Sequence, residues 1–358
     1  MRSETRMELD RYGEIAKRQT KAKNSKDLNR ATMAQYDLAD ELAKYYEMPI
    51  GTQLKIFELQ KKKQAVMEWL KDELKKLDIK DNLVELQPGS RWVFYQDGQL
   101  IWRSGDRETV VTFGELLTDL DWGVNYAFDS AVPRKIRKQY LVATAKHRLK
   151  GLLDEQIMRQ ESAGEKDEGK RKAYESMLRE KDAEKLGTVA ETMLRNFMAR
   201  LTIDHGLTFT IEEPDPYQDV QQKIDFIICR PTHLRGVRVD KNDNDRLTVG
   251  IQFTMDNSWE ANVRKNRQLN RVRRENRLEN IDDMVLVEMN LNNVVFDALE
   301  QWKKTRTPGG PDQNLPPHIK HDIFFKLLNG LYSDDEIQKM WAEIEPKISQ
   351  QKIADQAA

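Results

Sequence analysis

The chain has 358 residues, and its 59 Lys and Arg against 60 Asp and Glu leave a formal net charge of -1. Charged residues make up 33% of it and the mean hydropathy is -0.77, and no apolar run approaches the roughly 20 residues that cross a bilayer. A near-zero net charge also excludes overall electrostatic attraction to nucleic acid, so any such binding has to come from local basic patches.

The length exceeds that of a usual single domain and predicts two. Met1 to Arg6 runs into charged sequence without the apolar core of a signal peptide. Cys229 is the single cysteine, which rules out an internal disulfide and a cysteine-based zinc cluster. It sits in an apolar stretch, where a small buried hydrophobe is its expected role. A soluble, cytoplasmic protein with no membrane partner is the expectation.

From about residue 3 to 47, apolar positions such as Leu38, Leu42 and Tyr45 recur at helical spacing amid charges. Pro49-Ile50-Gly51 breaks that pattern. A second helix is expected from about Thr52 to Leu77, with Leu54, Phe57, Val66, Trp69, Leu70 and Leu74 as its apolar stripe, so the two can form a helical hairpin. Between Leu83 and Val111 the period changes. Trp92 to Tyr95, the turn Asp97-Gly98 and Leu100 to Trp102 read as a β-hairpin, because Asp-Gly suits the left-handed dihedrals of a two-residue turn. Thr109 to Thr112 adds another strand. Residues 1–160 are thus expected to be an α-rich region with a small antiparallel sheet. Trp92, Tyr95 and Trp102 offer stacking faces to unpaired bases, although aromatics in a short hairpin more often pack a small core.

Pro133 is placed to start a helix. It is followed by Arg134, Lys135, Arg137, Lys138, Lys146, His147, Arg148 and Lys150 with no acidic residue between them, the most basic segment of the chain. Arg134 and Lys138 represent it as candidate phosphate contacts. Residues 161–184 are almost purely charged, interrupted by Gly164 and Gly169, and read as a charged linker and helix.

Residues 185–306 carry a more specific order. A helix from about Lys185 to Leu201 is followed by strands near Leu207 to Glu212, Gln221 to Cys229 and Leu247 to Met255, then a helix from about Ser258 to Leu278, a strand at Met284 to Glu288 and a helix from about Val294 to Lys304. This α-β-β-β-α-β order predicts an α/β core with helices covering a mixed sheet, within a chain that is α+β overall. Strand alternation assigns Lys223, Asp225, Ile227 and Cys229 to one face, with Ile224, Phe226 and Ile228 on the other. On the next strand Gly250, Gln252 and Thr254 share a face. An aspartate in an apolar strand needs a metal ion, a lysine or backbone donors beside it. Asp225 is in that position, and Glu191 on the preceding helix can reach the same place. Residues 307–358 are a Pro/Gly-rich loop and closing helices.

These residues, in this order, resemble the PD-(D/E)XK nuclease superfamily, with its restriction-endonuclease-like and RecB-like members. The resemblance covers roughly Lys185 to Lys304 and its individual motifs are short. It implies a restriction-endonuclease-like core in which Glu191, within a Gly-x-x-x-Glu segment, and Asp225 hold Mg2+ or Mn2+. Gln252 then stands where the family places the glutamate of its third-strand glutamate-x-lysine pair, and Thr254 where it places the lysine. The departures matter chemically, because hard cations are held best by anionic oxygens and phosphodiester cleavage needs the water they activate. Gln252 keeps an oxygen but loses the charge. Lys223 is the first replacement for the missing ammonium and Lys265, on the following helix, the second.

That following helix also carries Arg264, Lys265, Arg267, Arg271, Arg273, Arg274 and Arg277. Lys265, Arg267, Arg271 and Arg274 are the nucleic-acid contacts the resemblance favours, through phosphates rather than bases. The expected function is metal-dependent hydrolysis of DNA or RNA. The alternative is a noncatalytic nucleic-acid-binding or protein-interaction module on a degenerate nuclease fold, and the oligomeric state stays open, with a homodimer allowed. A plain structural alternative also stands: Glu191 as a surface charge, Asp225 paired with a lysine or arginine, Gln252 bonded to the sheet edge. His318 and His321 alone have helical proximity, which does not support a zinc site. No Gly-rich phosphate loop is present.

Overall fold

The computed structural model describes residues 91–104, 107–129, 131–178, 186–231, 246–255, 259–274 and 281–357. The helices expected over 3–47 and 52–77 lie outside the described residues. Two compact units emerge: residues 91–111 with 123–157, and residues 112–122 with 158–357.

In the first unit β1 (Arg91–Gln96), β2 (Gln99–Ser104) and β3 (Arg107–Val111) form an antiparallel meander. Asp97 and Gly98 take φ of 50° and 84°, the left-handed pair that the tight turn demands. The chain then passes through α1 (Phe113–Thr118), which belongs to the second unit, before β4 (Tyr126–Phe128) adds to β1 in parallel, giving the order β3-β2-β1-β4. The sheet is therefore mixed rather than wholly antiparallel, because a strand that returns after such an excursion is free of the hairpin constraint. Val93, Leu100, Trp102, Val111 and Phe128 are buried, so Trp102 is core rather than a stacking surface. Behind Pro133 runs α2 (Arg134–Gly164), whose Tyr140 meets Phe128 edge-on at 4.9 Å and accepts a hydrogen bond from the Tyr126 N–H at 3.0 Å.

In the second unit Thr112 and Glu115 form a reciprocal capping box at the start of α1. After α3 (Glu168–Leu178) come α4 (Leu186–His205), β5 (Thr210–Glu212), a single π-helical turn (Gln218–Gln222), β6 (Phe226–Pro231), β7 (Arg246–Thr254), α5 (Trp259–Arg274), β8 (Asp283–Glu288) and α6 (Asn292–Thr305). The sheet order is β5-β6-β7-β8, antiparallel except for β7 and β8, which run parallel. The chain is accordingly mixed α+β. Val189, Met193, Leu194, Phe197 and Leu201 recur along α4 at helical spacing and pack on Phe226, Ile228, Val249, Ile251 and Phe253. The same core takes in Leu315, Phe324 and Leu327 of the segment ending in α7 (Pro317–Leu328), and Trp341 of α8 (Asp334–Ala357). Leu269 and Val272 of α5 cover the opposite face, against Ile224, Ile227, Cys229 and Met284. Gly250 lets that packing close up: a Cβ on it would lie 3.2 Å from Ile224 Cδ1, so the isoleucine would have to give by a few tenths of an ångström. Cys229 is buried, and burial pushes its thiol up to about 11.

The expected strand from Gln221 to Cys229 needs correction. β6 starts only at Phe226, and Lys223, at φ 62° and ψ 41°, ends the π turn in the left-handed region. That residue redirects the chain. It places Ile224 with Ile227 and Cys229 instead of with Phe226 and Ile228, and it removes Lys223 from any strand face. Among the described residues no helix is long and apolar enough to cross a membrane.

Candidate functional site

β6 pairs with β7 only from Phe226↔Ile251 onward, so the β7 backbone beyond that point needs other partners. Asp225 supplies them at the bend before β6. Its N–H donates to the Ile251 carbonyl at 2.8 Å, and its Oδ2 accepts from the Phe253 N–H at 2.5 Å. Lys265, reaching in from α5, donates through Nζ to the Phe253 carbonyl at 2.8 Å. One carboxylate and one ammonium thus cap the two backbone groups of Phe253 in β7, just beyond the start of β6.

Glu191 enters this corner from the second turn of α4. It lines a cavity of about 460 Å³ with Gly187, Thr254, Lys265, Asn290 and Asn292. Burial pushes its carboxyl well above the usual range, the charges of Asp225 and Asp219 push it further, and Lys265 and Arg195 oppose the rise. Burial likewise raises Asp225, against the Phe253 N–H that favours its charged form; Asp219 adds to the rise, while Lys265 and Lys223 oppose it. The structure therefore brings Glu191, Asp225 and Lys265 together. Asp219, on the π turn, was not singled out by sequence reasoning. Burial raises it to about 6, with Lys223 opposing and Asp215 adding. A signal for its turn is present in the chain, since Asp215-Pro216 is followed by Gln218: the Gln218 N–H donates to Asp215 Oδ1 at 2.8 Å and the Asp215 N–H to Gln218 Oε1 at 3.0 Å.

Gln252 is only 5% exposed, and its Oε1 has no hydrogen-bond partner among the described residues. It lies between Ile251 and Phe253, the two residues that Asp225 bonds. Alternation along β7 nevertheless sets it on the Gly250 face, which α5 covers, rather than on the α4 face from which Glu191 arrives. Thr254 is buried and lines the cavity. Lys223 is charge-coupled to Asp219 and Asp225, but Lys265 is the lysine that lines the cavity.

The donor set fits a hard cation in kind through two carboxylates, Glu191 and Asp225, each raised by burial and by neighbouring acid charge, while alternation keeps the orphaned amide oxygen of Gln252 on the other face. It falls short in number. Among the described residues no group of three or more His, Cys, Asp and Glu side chains is arranged to hold a metal ion. Of the basic candidates, Arg267 is exposed on α5, while the side chains of Arg271 and Arg274 lie outside the described set. On α2 Arg134 is exposed and Lys138 half-buried, but Arg137 is buried, with Nε donating to the Val132 carbonyl at 2.9 Å. His321 stacks on Phe325 at 4.4 Å and meets Trp341 edge-on, an aromatic packing role.

Comparison with protein-family models, with curated proteins and with solved structures returns no match for this chain.

Proposed function

We propose that the second unit is a nuclease-like domain of the PD-(D/E)XK type, acting on the phosphodiester backbone of DNA or RNA with Mg2+ or Mn2+. The observation that carries the reading is the meeting of Glu191, Asp225 and Lys265 in one corner, with both carboxylates raised by burial and by neighbouring acid charge. The order α4-β5-β6-β7-α5-β8 with strand order β5-β6-β7-β8 supports it as well. In this reading Glu191 and Asp225 would hold the cation, and the chemistry it would supply is charge neutralisation at the phosphate and a lowered pKa for an attacking water. Lys265 takes the ammonium role ahead of Lys223, and its bond to the Phe253 carbonyl fixes where the charge stands. Arg264 and Arg267, both exposed on α5, meet backbone phosphates.

A second reading is favoured by Gln252: a neutral amide where the resemblance calls for a carboxylate leaves a site that binds nucleic acid without cutting it. Labelled single- and double-stranded DNA and RNA, incubated with the protein and Mn2+, separate the two. Cleavage that EDTA abolishes, and that Glu191→Gln and Asp225→Asn each abolish, is the expected result. Binding that weakens steeply with salt but yields no product gives the second reading. No saturable Mn2+ binding and no nucleic-acid binding would overturn both.

A further inference from the structure

We infer that Arg195 is a positioning residue for this corner, a pin that sets where α4 holds Glu191; the inference rests on the metal-centre reading above. Arg195 lies one turn beyond Glu191 on the same helix, and side chains four residues apart share a helix face. Its guanidinium serves two carboxylates at once. Nη2 meets Asp121 Oδ2 at 2.9 Å, in the 3-10 turn Asp119–Trp122, and Nη1 meets Glu213 Oε1 just after β5. The three side chains are mostly buried, with 16%, 21% and 29% exposure. The next residue, Asn196, donates through Nδ2 to the Thr118 carbonyl at 3.2 Å, so α4 is tied at this level to two different segments.

Directionality is the reason these ties matter. Val189, Ala190, Met193 and Leu194 fix how deeply α4 beds into the core, but apolar burial is non-directional and tolerates small slides and rotations of a helix about its axis. A planar fork satisfying two fixed carboxylates does not tolerate them. Arg195 is the polar pin nearest to Glu191; the other buried guanidinium of α4, Arg200, holds Asp312 and the Gly309 carbonyl further along the helix. Cation sites need their donors placed to within about half an ångström, so loss of the pin weakens the cation site while the core still folds. A lysine in its place keeps the charge but not the fork.

The test is Mn2+ titration of the full chain, followed by the paramagnetic resonance of free Mn2+, with circular dichroism and thermal melting as the fold control. Arg195→Met is expected to melt cooperatively yet bind Mn2+ roughly tenfold more weakly, the usual cost of losing a group that orients a metal ligand. Arg195→Lys is expected to recover part of that loss. Should Arg195→Met fail to fold, Asp121→Asn and Glu213→Gln each remove one arm, and each is expected to weaken Mn2+ binding, by less than loss of the whole fork. A folded Arg195→Met with unchanged affinity overturns the inference, as do both single-arm variants binding like the unaltered chain. Absence of Mn2+ binding in the unaltered chain removes the metal centre itself and this inference with it. Binding that is present but indifferent to Arg195 removes the inference alone.

Discussion

Asp312 and Asp225 are both aspartates drawn into the interior of the second unit, and burial raises both. Their company differs. Asp312, with no exposed surface, lies 2.8 Å from the Arg200 guanidinium, a contact of charge more than an aligned hydrogen bond, and Lys320 lowers it further. Lys320 and Arg200 also bond the carbonyls of Gln313 and Gly309, so that corner stitches the Gly309–Gly310 loop to α4 and α7. Asp225 bonds a backbone N–H, its nearest ammonium bonds a backbone carbonyl, and two further carboxylates raise or are raised by it. The first corner balances its buried charge with cations of the chain itself, although neither Asp312 carboxylate oxygen has an aligned hydrogen bond. The second gains from a cation supplied from outside, which is what separates a structural ion pair from a candidate centre.

The largest effect that sharpens this contrast is on stability. Arg200→Met strands a buried carboxylate and is expected to cost about 3–5 kcal/mol in urea unfolding. Asp225→Asn, without added metal, is expected to change stability by less than about 1 kcal/mol, since the amide oxygen can still accept from Phe253 and an unfavourable charge is gone. Equal losses in the two variants would break the comparison.

Next in size is a pH effect. The Glu191–Asp225 pair has folded pKa values raised above the unfolded ones, so the native state retains protons that the unfolded chain releases. Stability then falls as pH rises, beginning near the ordinary aspartate value of 3.8 and ending near about 9, where the last proton of the pair is lost. Urea midpoints measured across that range in EDTA are expected to decline, and Glu191→Gln/Asp225→Asn is expected to flatten the decline. Mn2+ is expected to flatten it too, by replacing the proton. A flat profile in the unaltered chain would mean that the two carboxyls do not share their burial.

Much of this corner was legible in the chain. Helix spacing around Glu191, apolar strands around Asp225 and Gln252, and their order all express periodicity, a local property. Asp97-Gly98 and Pro133 were legible for the same reason. Lys223 was not, because a left-handed lysine leaves no mark in a run of alternating polar and apolar residues; the resulting shift of Ile224 to the other face follows from it. Asp219 lies two residues before that expected strand, in a stretch where periodicity assigns no element, although Asp215-Pro216 and Gln218 announce a turn. Choosing Lys265 over Lys223 depends on how α5 packs, and the membership of residues 112–122 in the second unit depends on contacts such as Thr112 Oγ1 with Asp204 at 2.6 Å, ninety-two positions away. Neither is written in local pattern.

The smallest expected effect bears on Gln252. Its Oε1 is buried without a partner, and such an acceptor carries a desolvation cost of about 1–3 kcal/mol that a hydrophobe of similar shape avoids. Gln252→Met is therefore expected to be neutral or to stabilise the metal-free protein by up to about 1 kcal/mol, read as a shift in urea midpoint. Paired with Mn2+ titration, the same variant decides what the amide is for. If the oxygen helps to hold the cation, affinity drops as stability rises, the opposition expected where a polar group is kept for binding at the expense of the fold. If affinity is unchanged while stability rises, the face that alternation assigns to Gln252 keeps it apart from Glu191, and the centre is limited to Glu191, Asp225 and the oxygens of water and phosphate.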